Sequence, residues 1–223
     1  MSAVVIQNLH VEYPDKLLFG DVSMKVEDDE IVAIRTRVLD GGTSLLRAIG
    51  GYLNGVEGHV FLDDLDLLDE DNRSSVKHRI GYVYETNGLV SLYNIFHNIG
   101  LPLQFHTDLS QDEIAERVYE VGQLLQLEDG IYERRTFELN DVQTRMVTLA
   151  RALITKPSLL LIDELEGGMS DEFLAATMET LRERQRALPM PIILTTSSDI
   201  ILEAADRIFS IENCDLQPFE LTG

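Results

Sequence analysis

Two stretches carry residue types that could do chemistry. The first, Ala33–Gly51, reads AIRTRVLDGGTSLLRAIGG: an apolar run, a short loop with paired glycines, then Thr43-Ser44 opening a Leu-rich helix. That is the layout of a phosphate-binding loop, in which backbone N–H groups and a helix N-terminus face an anion. Gly42, however, stands where such a loop would carry its lysine. The second stretch is LLLIDELEGGMS, where Asp163 and Glu164 close an apolar run. A carboxylate pair at the end of a buried strand could be functional. It could equally persist structurally, with Asp163 hydrogen-bonded to the loop beside it.

Both stretches need a scaffold. Apolar runs predict strands at Ala3–Gln7, Ile31–Arg35, His59–Asp63, Ile80–Tyr84, Leu159–Asp163, Ile192–Thr195 and Arg207–Ile211. Ser110 and Glu113 form a capping-box pattern ahead of Ile114, Val118, Val121 and Leu125 on one helical face. Gln143–Leu153 and Glu172–Arg186 are further amphipathic helices, the second led by Ser170 and Asp171 as its cap. Strands alternating with helices imply an α/β fold with a mostly parallel sheet covered on both faces. The first sixty or so residues look antiparallel, and residues from about Thr86 to Arg135 read as a helical insertion.

The 223 residues suffice for one domain with a real core. One cysteine, Cys214, excludes an internal disulfide and a cysteine-based zinc site and suits a reducing compartment. No apolar run approaches membrane-spanning length and the start lacks a signal-peptide pattern, so a soluble, cytoplasmic chain is expected, peripheral to a membrane only through a partner. The formal net charge of -21 leaves no basic stripe for nucleic acid or anionic lipid.

Five framework segments, LLFGDVSMKVEDDEIVAI, TSLLRAIGGYL, RIGYVYETNGL, VTLARALITKPSLLLIDE and EAADRIFSI, occur in an order and spacing that resemble the ATPase subunit of an ATP-binding cassette (ABC) transporter. The segments LLRAIGG and NGLVSLYNIFHNIGLPL look most like the branch that powers lipid transport across the bacterial envelope. The resemblance implies a P-loop NTPase-type core with an N-terminal antiparallel β subdomain (1–85 and 136–223 together) and a helical subdomain at about 86–135. It implies Tyr13 as the aromatic that stacks on adenine.

The resemblance also aligns residues 36–44 with the family's phosphate loop, of which Gly41 and the Thr43 hydroxyl survive, with Gly42 and Ser44 beside them. Val38 and Leu39 stand where glycine's freedom is needed, and Asp40 brings negative charge to the same place. One cation lost at about 4 Å removes roughly 1–4 kcal/mol of attraction, whereas the helix N-terminus still offers only ~0.3–1 kcal/mol. Arg35 or Arg37 could swing in as a substitute.

Glu85 replaces a metal-binding glutamine. The family's Leu-Ser-Gly-Gly-Gln signature is Leu139, Asn140, Asp141, Val142 and Gln143 here. The resemblance makes Asp163 the magnesium carboxylate and Glu164 the catalytic base, with Thr43, Glu85 and Asp163 as the metal set. Ser197 holds the position of the switch histidine, and all five histidines lie in the first half of the chain.

The expectation is a pseudo-ATPase with no cofactor, binding Mg-ATP weakly if at all, in a complex with a membrane-spanning subunit and an intact cassette subunit, or as a homodimer not driven by ATP. Two alternatives stay open: a slow or partner-activated ATPase using Asp163 and Glu164, and an acidic module in which Asp40, Glu85, Asp141, Asp163 and Glu164 converge to hold a metal or a basic partner.

Overall fold

The computed structural model describes residues 3–37, 40–85 and 88–221, apart from the side chains of residues 73 and 74. Val38, Leu39 and Thr86 therefore lie outside the described residues. Two sheets organise the chain. The first has four antiparallel strands in the order β2-β1-β4-β5: β1 Val4–Tyr13, β2 Lys16–Val26, β4 Val56–Leu62 and β5 Leu65–Asp66. The second has the order β10-β9-β3-β8-β7-β6. It comprises β3 Ile31–Arg35, β6 Ile80–Val83, β7 Leu159–Asp163, β8 Ile192–Thr196, β9 Arg207–Glu212 and β10 Asp215–Pro218. All its pairings are parallel except β9 with β10.

The expected α/β class and the antiparallel first sheet are thus present. Several strands differ from the sequence expectation: β5 and β10 are not in it, and β4 begins at Val56 where His59 was expected. β1 runs to Tyr13, and β2, not foreseen, hydrogen-bonds along it with register shifts between Ile6 and Glu12. Those irregularities break the two-residue alternation that would have revealed it.

The parallel strands are apolar on both sides because both faces are covered. Ile31, Ala33, Leu160, Ile162, Ile192 and Leu194 enter one core cluster, whereas Val32, Ile34, Leu159, Leu161 and Ile193 enter the other. The first cluster is completed by helices α3 (Ile95–His106), α4 (Gln111–Leu124), α5 (Asp141–Leu153), α6 (Asp171–Ala187) and α7 (Asp199–Ala204). The second is closed by helix α1 (Gly42–Ile49), a short helix α2 (Glu70–Val76) and the antiparallel sheet.

Helix caps follow the predicted chemistry. Ser110 and Glu113 exchange side-chain and backbone bonds at the start of α4, and the Ser170 hydroxyl accepts the Phe173 N–H at the start of α6. Within the insertion, fully buried Asn98 is satisfied by Val90 N–H and the carbonyls of Val90, Tyr93 and Asn94, which pins the GLVSLYN segment to α3.

Candidate functional site

In an open parallel sheet, the crevice lies beyond the carboxyl ends of the strands. Here the ends of β3, β6, β7 and β8 bring Thr36, Glu85, Asp163 and Thr195-Thr196 to one edge of the sheet, and α1 begins there. Gly41 is the N-cap of α1 at φ 100, a conformation that strongly favours glycine. Its carbonyl accepts the Leu45 N–H at 2.9 Å, starting the helix.

The residue at the lysine position is enclosed. A Cβ built on Gly42 would collide with the Thr36 methyl and come within 3.1 Å of the Thr195 methyl. Thr36 cannot easily withdraw: it is 7 % exposed, its N–H is held by Thr196 O at 2.8 Å, and a β-branched side chain has few rotamers. Asp40 folds back over the same loop. One carboxylate oxygen accepts the Arg37 N–H at 2.6 Å and the other the Gly42 N–H at 3.3 Å.

Asp163, 2 % exposed, accepts from Thr195 Oγ1 at 2.8 Å and from Thr43 Oγ1 at 3.2 Å. Burial raises its proton affinity above the ordinary carboxylate value; the two hydroxyls oppose this and the Glu85 charge adds to it. Glu164 adopts φ 48, with its N–H on Thr195 O at 3.2 Å, while Arg145 donates to the carbonyls of Glu164 and Gly167. Its carboxyl is also pushed up, first by burial, then by Glu85, Glu166 and Asp163.

Glu166 was not anticipated. One of its oxygens accepts from Thr196 Oγ1 at 2.8 Å, Ser197 N at 2.7 Å and Ser197 Oγ at 3.2 Å. It thereby takes the donors of Thr196 and Ser197 at the end of β8. Spacing alone gave the one available signal, an acid two residues after Glu164.

The remaining expected residues distribute as follows. The Tyr13 hydroxyl lies 3.5 Å from the Oγ of Ser44, in the first turn of α1. Asn140 caps α5 in a reciprocal box with Gln143, whose amide also donates to Glu128 at 2.7 Å. Leu139 and Val142 pack on the helical core, and Asp141 sits in the first turn of α5. Asn140→Ala is expected to lower stability by about 1 kcal/mol, a fall of roughly 2–4 °C in melting temperature for a domain of this size.

Arg35 stacks on the Phe219 ring at 4.7 Å, so its guanidinium is engaged elsewhere than in the loop. The acidic residues do not all converge: Asp163, Glu164, Glu85 and Glu166 influence one another, whereas Asp40 turns into its own loop. Among the described residues, no group of three or more His, Cys, Asp or Glu side chains is arranged to hold a metal ion. Of the metal set Thr43, Glu85 and Asp163, the first and last are bonded to each other.

Residues 19–166 match the ABC transporter family. The chain belongs to that family. As an ABC cassette it is 28 % identical over 216 residues to the methionine import ATP-binding protein MetN of Carboxydothermus hydrogenoformans, covering 94 % of this chain and 64 % of that protein. The spermidine/putrescine import ATP-binding protein PotA of Haemophilus ducreyi is 28 % identical over 208 residues, covering 93 % and 55 %. The cassette thus spans roughly half to two thirds of the length of these relatives.

Among solved structures, the ATP-binding cassette MJ0796 in a post-hydrolysis dimer bound to ADP and Pi superposes with a TM-score of 0.88 at 22 % identity, covering 99 % of both chains. CbiO1 of Clostridium perfringens, part of a cbiONQ transporter complex, gives 0.82 at 22 % identity over 96 % of this chain and 86 % of that one. The ABC ATPase fold is established by these likenesses. Among the described residues no helix is long and apolar enough to cross a membrane.

Proposed function

We propose that this ABC cassette is a non-hydrolysing subunit of a membrane transport complex, binding Mg-ATP weakly or not at all. One observation carries the reading: the place of the phosphate-loop lysine is filled by the Thr36 methyl packed on Gly42, and the neighbouring amides are taken by Asp40. A triphosphate would have to displace a carboxylate, without a cation to offset its own desolvation. Asp163 fits the structural alternative, since both of its hydroxyl partners come from the fold itself.

The cleft lined by Tyr52, Lys77, Tyr84, Pro102, His106 and Arg151 is proposed as the docking surface for a helix of the membrane subunit. Leu92 and Tyr93, exposed ahead of α3 in the GLVSLYNIF segment, are proposed as a second part of that docking surface. An intact cassette is the proposed second partner; a dimer of this chain would form without ATP. For cargo, the segments LLRAIGG and NGLVSLYNIFHNIGLPL support lipid traffic, whereas the relatives are named for methionine and spermidine/putrescine import. Cargo bound to the purified complex would decide between them.

The test of the central reading is thermal. A ligand present at 100 times its Kd stabilises by about 2.7 kcal/mol, which is roughly 5–10 °C for a chain of this size. Millimolar Mg-ATP is expected to leave the melting temperature unchanged. A rise of several degrees would overturn the proposal.

A second reading has an observation in its favour: Asp163 and Glu164 stand together at the end of β7. If they sustain slow hydrolysis, turnover must vanish in Glu164→Gln. Turnover that persists in this variant belongs to a contaminant.

A further inference from the structure

We propose that Asp40 and Glu166 are built-in anions: Asp40 takes the Arg37 and Gly42 N–H groups beside the segment aligned with the phosphate loop, and Glu166 takes the Ser197 N–H and the Thr196 and Ser197 hydroxyls of the segment aligned with the switch, so that these donors are satisfied with no nucleotide. This rests on the functional reading above and deepens it. The two carboxylates belong to different elements and satisfy different loops. Asp40 spends one oxygen on the Arg37 N–H and the other on the Gly42 N–H. A simple cap needs only one such bond; here one carboxylate takes two N–H groups, those of Arg37 and Gly42, one on each oxygen, as a bound anion would.

Glu166 gathers three donors from Thr196 and Ser197 onto a single oxygen. Its other oxygen is buried and has no partner among the described residues. Buried Thr36 Oγ1 is likewise without a partner there, beside the methyl group that closes the loop over Gly42. The consequence is that a phosphate approaching these donors must first displace a carboxylate at each place.

Amide hydrogen exchange tests this on the intact chain without nucleotide. The Arg37, Gly42 and Ser197 amides are expected to be protected. Asp40→Ala should speed Arg37 and Gly42 about 10-fold or more while leaving Ser197, and Glu166→Ala should do the reverse, as expected for loss of a charged hydrogen bond. Inorganic phosphate, against chloride of equal ionic strength, should slow Arg37 and Gly42 again in Asp40→Ala and change nothing in the intact chain.

Fast exchange in the intact chain, rates indifferent to removal of the carboxylates, or an Asp40→Ala loop that ignores phosphate would each overturn the proposal. Should Asp40→Ala fail to fold, the rates of the intact chain and the Glu166→Ala arm decide alone. Failure of the functional reading is separable. Mg-ATP raising the melting temperature of a chain whose amides are already protected refutes non-binding and leaves the built-in anions standing.

Discussion

Gly42→Lys, the substitution that restores the family's lysine, is expected to destabilise the protein and confer no ATP binding. The new Cβ collides with the Thr36 methyl and crowds that of Thr195. Thr36 has nowhere to go, being buried and tied by its N–H to β8. Overpacking of this kind costs about 1–3 kcal/mol, a fall of roughly 2–12 °C in melting temperature for a chain of this size. Thr36→Gly in the same chain removes the methyl, so the double variant should regain most of the loss. It should also be the first variant in the series to respond to Mg-ATP, more so when Asp40→Ala is added. Melting curves of the single, double and triple variants check the sequence of effects. A stable Gly42→Lys single variant would show that the loop yields more readily than its packing indicates.

The second large effect concerns charge. Burial raises the proton affinity of Asp163 in the folded chain above the unfolded value near 3.8. The folded state therefore binds more protons than the unfolded state between the two values. The stabilisation is present in full below the unfolded value and is lost as pH rises through the folded one. Glu164 is shifted in the same direction; it is more exposed, so its share is smaller.

The double variant Asp163→Asn, Glu164→Gln keeps an oxygen acceptor for Thr43 and Thr195 and removes both charges. It is expected to be more stable than the parent by roughly 1–2 kcal/mol at pH 8, a gain typical of stabilising substitutions, and indistinguishable from it at pH 3. Denaturant titrations at the two pH values measure this. A loss of stability at pH 8 would mean that the two charges are compensated by a bound cation.

The sequence exposed the framework better than the site. Ile31–Arg35 and Leu159–Asp163 were legible because buried parallel strands have nothing to be but apolar. The box at Ser110 and Glu113 was legible because capping is local chemistry. β2 was not, since Gly20 and Asp21 interrupt its run and its pairing with β1 shifts register. Within the site, the end of β7 could be seen, but its partners could not. Thr195 reaches Asp163 across 32 residues of sequence, and Glu166 reaches Ser197 across 31. Such contacts depend on strand order, which no local pattern encodes. The Thr36 methyl is a harder case. It reads as one lost glycine, and only its position over Gly42 reveals that the two changes fit each other.

Thr195 and Thr196 are consecutive on β8, so their side chains point to opposite faces of the sheet. One hydroxyl goes to Asp163 and the next to Glu166. Removing any single residue from Ile192–Ile193 would rotate this pair half a turn, giving each carboxylate a methyl-bearing or apolar neighbour in place of its donor. Chain length along β8 is therefore under tighter constraint than side-chain identity, and an alignment gap there would mark a cassette wired differently.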